Sequence, residues 1–412
     1  MDLKVIDLFA GSGGLSLGLE ESGFRPVFVS ELNKDAMATY LLNRPNSNLQ
    51  ESRNHAFDIK QLTKDKQAST EFSRSIQLES GEIDLVCGGP PCQGFSGIGH
   101  RRTFNLAKDQ VPTNHLYKDF AKVVQSVAPK AFLFENVRGL LTSKWTPEGN
   151  KGEIWEDVKR AFAAITVNIH GKTLQYEIGW RLVYAKDFGV PQNRPRVILV
   201  GLREDIPFNS TDSTDKGLLP EGGIQGPDLI DLLSDLIDPN WKSVGTTSKY
   251  LLEPQTAVQE ALRHAHLGRN FGIGDPVADQ QYSKHSDAVT EKFEALLKTK
   301  KIPEHLKTRK FAQRLLPPRW GENGPSITAT SLPDDYVHFS QPRILTVREW
   351  ARLQTFPDWY EFSGPRTTGG RRRAGDPSSA NWDRALPKYT QIGNAVPVQL
   401  GRHLGAHIAS LF

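Results

Sequence analysis

Lys4-Val5-Ile6-Asp7-Leu8-Phe9-Ala10-Gly11-Ser12-Gly13-Gly14 is the stretch on which the reading of the fold turns. Lys4–Phe9 is a short apolar run that ends in glycines, which predicts a buried strand, and Leu15–Glu21 then reads as a helix. Glycines between a strand and a helix let a ligand approach the backbone closely, although a tight turn uses them equally well. Pro26–Ser30 reads as a second strand, and Glu31 stands at its end. An acid so placed can accept hydrogen bonds from both ribose hydroxyls of a nucleoside. The glycines do not follow the G-x-G-x-x-G dinucleotide pattern, which disfavours a nicotinamide enzyme.

Working outward, Lys34–Leu42 predicts a helix and Ile83–Cys87 a strand stopped by Gly-Gly-Pro-Pro. Tyr117–Val127 predicts a helix and Ala131–Phe134 a buried strand, with Trp180–Ala185 and Arg196–Gly201 completing the pattern. Strands alternating with helices imply an α/β domain with a mostly parallel sheet covered on both faces. Beyond Leu202 the alternation breaks down, and Pro, Gly, Ser and Asp become frequent through about residue 240. Pro227–Ile237 keeps a helical period, and helical spacing returns at Thr346–Gln354 and Val398–Ile408, the last expected against the first domain. The expected partition is 1–203, a smaller irregular domain over 204–375, and a returning segment over 376–412.

Bulk composition narrows the classes. The chain has 412 residues, 38% hydrophobic and 24% charged, which is globular rather than disordered. A net charge of +4 is a mild tilt, and its distribution says more. Lys298–Arg319 is strongly basic, Arg366, Arg371, Arg372 and Arg373 crowd a Gly-rich stretch, and Glu204–Asp238 is acidic. Each run is either a solvated face or a binding surface. The only cysteines are Cys87 and Cys92, which make neither a disulfide framework nor a metal-ligand set. No export signal or spanning segment is visible, so a cytoplasmic protein is expected.

Cys92 lies in Gly88-Gly89-Pro90-Pro91-Cys92-Gln93-Gly94-Phe95-Ser96, directly after a buried strand. The prolines take the chain abruptly out of the sheet and present Cys92 at the strand's carboxyl end, where α/β sheets bind ligands. Cys87, inside the strand, reads as a small buried hydrophobe. Glu135 in Glu135-Asn136-Val137 ends another apolar strand and is either a cap or a catalytic group. Arg194 and Arg196 are two apart and share a face if extended, so they clamp a base or phosphate or form surface pairs.

Six segments, DLFAGSGGLSLGLE, GGPPCQGFSGIG, FENVRG, DFGVPQNRPRV, RILTVREWARLQTFPD and YTQIGNAVPVQLG, resemble in order the motif set of DNA cytosine-5 methyltransferases of the bacterial restriction-modification type. The resemblance covers nearly the whole chain outside the variable region between Arg196 and Arg343. It implies a Rossmann-like catalytic domain dependent on S-adenosylmethionine, with a smaller target-recognition domain. Cys92 matches the nucleophile that adds to C6 of cytosine. Glu135 matches the group at N3 and the 4-amino group, protonated or sharing a proton there, and Arg196 the group at O2. Gln192 and Arg194 match supporting positions. The cofactor is expected against Phe9, Gly11, Gly13, Glu31, Asp58, Ile59, Pro91, Leu116, Asn394 and Val396, with no metal.

A cytosine must leave the duplex to meet a cysteine. Gln93–Asn114 matches the family's mobile loop, with Ser96, Arg101 and Arg102 as DNA contacts. Thr328 falls near a Thr-Leu pair that touches the DNA backbone, although Ala329 replaces the Leu. Arg343, Arg348 and Arg352 read as structural ion-pair partners, and Lys298–Arg319 as the phosphate-contacting stretch. The insertion Phe362–Asp383 departs from the family pattern and is either a DNA contact or a disordered loop.

The expected partner is double-stranded DNA, with a cognate restriction endonuclease that forms no stable complex, and a monomer is expected. A tRNA-modifying relative would carry a shorter variable region than Leu202–Gln341. A silent scaffold would have lost Cys92, Glu135, Arg196 or Glu31. An amino-methylating enzyme would carry Pro-Pro followed by an aromatic residue in place of Cys92.

Overall fold

The computed structural model describes residues 2–91, 112–241, 245–264, 268, 270–307, 313–319, 336–367 and 385–412. These fall into two compact units. The first holds Met1–Tyr184, Pro195–Gly223 and Leu400–Phe412, and the second Ala185–Arg194 and Ile224–Gln399. The division differs from the sequence-based boundaries. Residues 204–223 belong with the first unit, and 185–194 and 376–399 with the second. Trp180 N–H donates to the carbonyl of Thr214, and Arg181 Nε lies 3.2 Å from Asp215 Oδ2, which ties 204–223 to a sheet strand.

The first unit is built on one eight-stranded sheet. Its strands are β1 (Leu3–Leu8), β2 (Phe24–Ser30), β3 (His55–Ala56), β4 (Leu85–Gly88), β5 (Ala131–Val137), β6 (Thr166–Ile169), β7 (Lys172–Tyr184) and β8 (Pro195–Arg203). The spatial order is β3-β2-β1-β4-β5-β8-β7-β6. Strands β1 to β5 pair in parallel, whereas β8, β7 and β6 add antiparallel. The sheet is parallel over five strands, as expected, with an antiparallel edge of three more. Parallel neighbours need a crossover, which the helices between β1 and β5 supply, whereas β6 and β7 are joined only by the turn at His170–Gly171.

The helices of this unit are α1 (Gly14–Glu20), α2 (Lys34–Leu42), α3 (Lys60–Thr63), α4 (Lys66–Ser80), α5 (Leu116–Val127) and α6 (Glu153–Ala163). On α5, Leu116, Tyr117, Phe120, Val123, Val124 and Val127 recur at helical spacing and are buried. Phe120 meets Phe132, Phe134 and Phe162 edge-on, with centroids 5.7–6.3 Å apart. Each fully buried ring or aliphatic chain of this kind contributes about 1.5–3 kcal/mol. The terminal helix Val398–Ala409 meets α1 through small residues. A Cβ on Gly401 would sit 2.9 Å from the carbonyl of Leu15, and Ser22 Oγ donates to the carbonyl of Arg402 at 2.8 Å.

In the second unit charges are buried in pairs. Arg343, Arg348 and Arg352 are fully buried, as is Glu349. Arg343 forms a two-pronged pair with Glu349 at 2.6 and 2.8 Å. Arg352 bridges Asp235 and Asp358. Arg348 donates instead to the carbonyls of Ala278, Pro357 and Tyr360. Arg343 and Arg352 are thus ion-pair partners, as their sequence context suggested, whereas Arg348 is held by backbone carbonyls.

Candidate active site

Parallel register aligns the carboxyl ends of β3, β2, β1, β4 and β5. Leu8 pairs with Ser30 and with Gly88, Ser30 with Ala56, and Gly88 with Phe134. Phe9, Glu31, Asp58, Gly89 and Glu135 therefore emerge along one edge, the place where open α/β sheets bind ligands.

At the β1 end, Phe9, Gly11 and Gly13 all have positive φ, at 57°, 57° and 80°. A side chain at Gly11 would meet no protein atom within 4 Å, so the space beside it is open. Gly11 N–H donates to Glu31 Oε2 at 2.8 Å, and Asn33 N–H donates to Glu31 Oε1 at 2.7 Å. Burial raises the Glu31 carboxyl above its ordinary range, against the two backbone donors that favour its charged form. Each oxygen keeps further lone-pair capacity for a hydroxyl. Asp58 uses Oδ1 to accept from Lys60 N–H at 2.9 Å, and Ile59 is buried in the core. Leu116 is likewise a core residue. Pro91 is exposed. Asn394, exposed, and Val396, half-buried, lie in the second unit.

At the β5 end, Glu135 and Arg196 come together. Glu135 pairs with Ile198 across the antiparallel β5–β8 ladder, which puts Arg196 diagonally beside it on the same face. Arg196 Nε lies 2.5 Å from Glu135 Oε1, and both side chains are nearly buried, at 11% and 12% exposed. Burial lowers the proton affinity of Arg196, and the charge of Glu135 opposes that. Gly89 makes room for this pair, since a Cβ there would fall 2.6 Å from Glu135 Oε2. Asn136 Nδ2 donates to the carbonyl of Pro90 at 3.2 Å and braces the Pro-Pro turn. Its position in Glu135-Asn136-Val137 was read without a role. Only the tertiary contact with Pro90 reveals one.

Gln192 and Arg194, grouped with the catalytic residues on sequence, act as braces of the second unit. Gln192 is fully buried and donates to the carbonyl of Leu353 at 2.9 Å and to Gln354 Oε1 at 2.8 Å. Arg194 donates to the carbonyls of Gly393 and Asn394 at 2.9 and 3.3 Å. Cys92, Ser96, Arg101, Arg102 and Thr328 lie outside the described residues, as does most of the Phe362–Asp383 insertion. Among the described residues there is no cluster of His, Cys, Asp or Glu able to hold a metal, and no helix long and apolar enough to cross a membrane.

An α/β sheet with an acid fixed beside an open glycine loop, and a carboxylate–guanidinium pair three strands away on β5, fits a nucleoside-binding enzyme class. Comparison with known proteins makes this specific. Residues 3–410 match the model of the C-5 cytosine-specific DNA methylase family, and the chain belongs to that family. It is a DNA (cytosine-5)-methyltransferase, and family membership brings dependence on S-adenosylmethionine. It is 30% identical to the type II methyltransferase M.DdeI of Desulfomicrobium norvegicum over 100% of this chain and 89% of that one. The type II methyltransferase M1.HphI of Haemophilus parahaemolyticus is 28% identical over 100% of this chain and 88% of its own. Among solved structures, a prophage-encoded DNA modification methyltransferase of E. coli matches with a TM-score of 0.68 and 25% identity, covering 100% of this chain and 99% of that one. Spodoptera frugiperda DNMT2, at a TM-score of 0.50 and 16% identity over 99% and 100%, shares the fold.

Proposed function

We propose that this enzyme methylates C5 of a cytosine rotated out of a specific duplex DNA sequence, with Cys92 as nucleophile, and that it protects DNA from a cognate restriction endonuclease. The observation that carries the reading is the Glu135–Arg196 pair at the sheet's carboxyl edge, beside the Gly-Gly-Pro-Pro turn that leads into Cys92. The Cys92 thiolate adds to C6, and the electron pair of the C5–C6 bond shifts toward N3 and O2. Arg196 faces O2 and Glu135 faces N3 and the 4-amino group, so both stabilise charge that grows in the transition state. C5, now enamine-like, becomes the attacking carbon. After alkylation it loses its proton and the thiolate leaves, which restores the ring.

The residues at the β1 and β2 ends fit the cofactor. Glu31 faces the ribose, the loop Phe9–Gly13 offers open space at Gly11, and Asp58 accepts from the adenine amino group. When bound, S-adenosylmethionine supplies an electrophilic methyl group. Asn394 and Val396 are proposed as cofactor contacts, and Ser96, Arg101, Arg102 and Thr328 as DNA contacts.

The test is a duplex carrying 5-fluorocytosine at the modified position, which blocks loss of the C5 substituent. Protein and oligonucleotide are expected to remain joined under denaturing conditions, with the adduct mapping to Cys92. Cys92→Ser is expected to abolish methyl transfer and keep DNA affinity. Full activity of that variant would remove the proposed mechanism.

A further inference from the structure

A polar cluster is sealed inside the first unit directly beneath the glycine loop. Asp7 on β1, Ser16 on α1, Tyr40 on α2 and Cys87 on β4 are each at most 1% exposed. Ser16 Oγ donates to Asp7 Oδ2, and Tyr40 Oη lies 2.7 Å from Ser16 Oγ. Cys87 Sγ lies 3.6 Å from Asp7 Oδ1. With the Ser16 hydrogen on Asp7, the phenol donates to Ser16, and the chain runs Tyr40 to Ser16 to Asp7. Tyr40 is held on its other side by Arg44, whose guanidinium stacks 3.8 Å over the ring and pairs with Glu20 on α1.

Three buried polar side chains, Asp7, Ser16 and Tyr40, in an otherwise apolar layer carry a desolvation cost that aliphatic packing would avoid. Their placement indicates what they do. Asp7 and Ser16 bracket the loop that contains Phe9, Gly11 and Gly13, all in the left-handed region. Phe9 has a Cβ and resists that conformation, so the loop needs outside support. Tyr40 belongs to the helix whose cap, Asn33, follows Glu31. Ser16 thus joins the helix after the glycine loop to the helix after Glu31. Above it, the same two segments each donate one backbone N–H to the Glu31 carboxylate.

We propose that the Ser16 hydroxyl is a positioning residue for cofactor recognition: by joining Asp7 to Tyr40 it holds the Gly11 and Asn33 N–H groups on Glu31, and so fixes the carboxylate that receives the ribose. The proposal rests on the reading of Glu31 as the ribose acceptor. It uses no contact between Ser16 and the cofactor.

The experiment is calorimetric titration of the full chain with S-adenosylhomocysteine, and separately with a mixed-sequence DNA duplex. Four single and double variants are compared: Ser16→Ala, Tyr40→Phe, Glu31→Gln and Ser16→Ala with Glu31→Gln. Loss of a buried hydrogen-bonded node predicts that Ser16→Ala weakens cofactor binding by about fivefold, with DNA affinity within about twofold of wild type. Tyr40→Phe, which leaves the Ser16–Asp7 bond in place, is expected to act in the same direction and less strongly. In the Glu31→Gln background the effect of Ser16→Ala is expected to shrink to less than about twofold, because both act through one carboxylate. An undiminished effect in that background, with Glu31→Gln itself impaired, would overturn the positioning role alone. Unchanged cofactor affinity in Glu31→Gln would instead overturn the reading of Glu31 and this proposal with it. Should Ser16→Ala fail to fold, the same cycle run with Tyr40→Phe decides the matter, and additive effects there would reject it.

Discussion

At Gly89 a hydrogen atom in place of a side chain leaves room for the Glu135–Arg196 pair. A Cβ at position 89 would press on Glu135 Oε2, while Arg196 holds Oε1 of the same carboxylate. Gly89→Ala is expected to lower kcat by about tenfold or more, because stabilisation of growing charge depends on placement. Cofactor affinity, read by titration, should hardly move, and a fall in affinity without a fall in kcat would contradict this. Asp7 supplies a second prediction at this scale. Burial, only partly offset by Ser16, Arg44 and Cys87, pushes its carboxyl up to about 7 from 3.8, with Glu20 adding a little. The folded protein therefore holds a proton that the unfolded chain gives up. The corresponding stability is present below about pH 4 and disappears as pH rises to about 7, roughly 4 kcal/mol in all. In Asp7→Asn this part of the pH dependence is absent, and denaturant unfolding at pH 5 and pH 8 should differ less than in wild type. The roles proposed for Cys92, Glu135, Arg196 and Glu31 rest on motif and residue type. That Gln192 and Arg194 brace the second unit could not be read there, because their partners lie some 160 and 200 residues away.

Among the elements, the helix Val347–Leu353 is wholly buried and carries two of the second unit's buried ion-pair residues, Glu349 and Arg352. Thr346 caps it and forms a reciprocal capping box with Glu349. Removing such a cap costs about 0.5–2 kcal/mol, so Thr346→Ala should lower the melting temperature measurably while leaving cofactor binding intact. Glu349 does more, since it also answers Arg343. Burial alone would raise its carboxyl, but the Arg343 charge and hydrogen bonds hold it down at about 2, against 4.5 when free. Its contribution is present above about pH 4.5 and is lost as pH falls toward 2. Glu349→Leu would strand a buried guanidinium and is expected to cost about 3–5 kcal/mol by denaturant unfolding. A loss below 1 kcal/mol would mean that Arg343 finds another partner. Helices with a clear apolar stripe, such as α5, were legible from spacing. Helix α4 and the β6–β7 hairpin were not, because α4 is half polar, with Ala68, Phe72, Ser73 and Ile76 its buried positions, and β6 spans only Thr166–Ile169.

For the whole molecule, the +4 charge matters less than where the charge lies. Lys298, Lys300 and Lys301 are exposed at the end of the helix Asp287–Thr299. Replacing all three by Glu is expected to weaken binding to every DNA sequence alike. If each met one phosphate, the slope of log affinity against log salt would flatten by about 2–3. An unchanged slope would assign these lysines to solvent. The order of motifs along the chain, with Cys92 after a strand and Glu31 at the end of another, by itself determined the family, the chemistry and the alternating first half of the sheet. These depend on residue type and local spacing, which a linear sequence carries in full. Only the tertiary structure decided that β6, β7 and β8 run antiparallel, that Glu135 meets Arg196, and that Ser16 joins Asp7 to Tyr40. Each is a contact between segments far apart in sequence, set by which surfaces bury one another, and no local pattern encodes that choice.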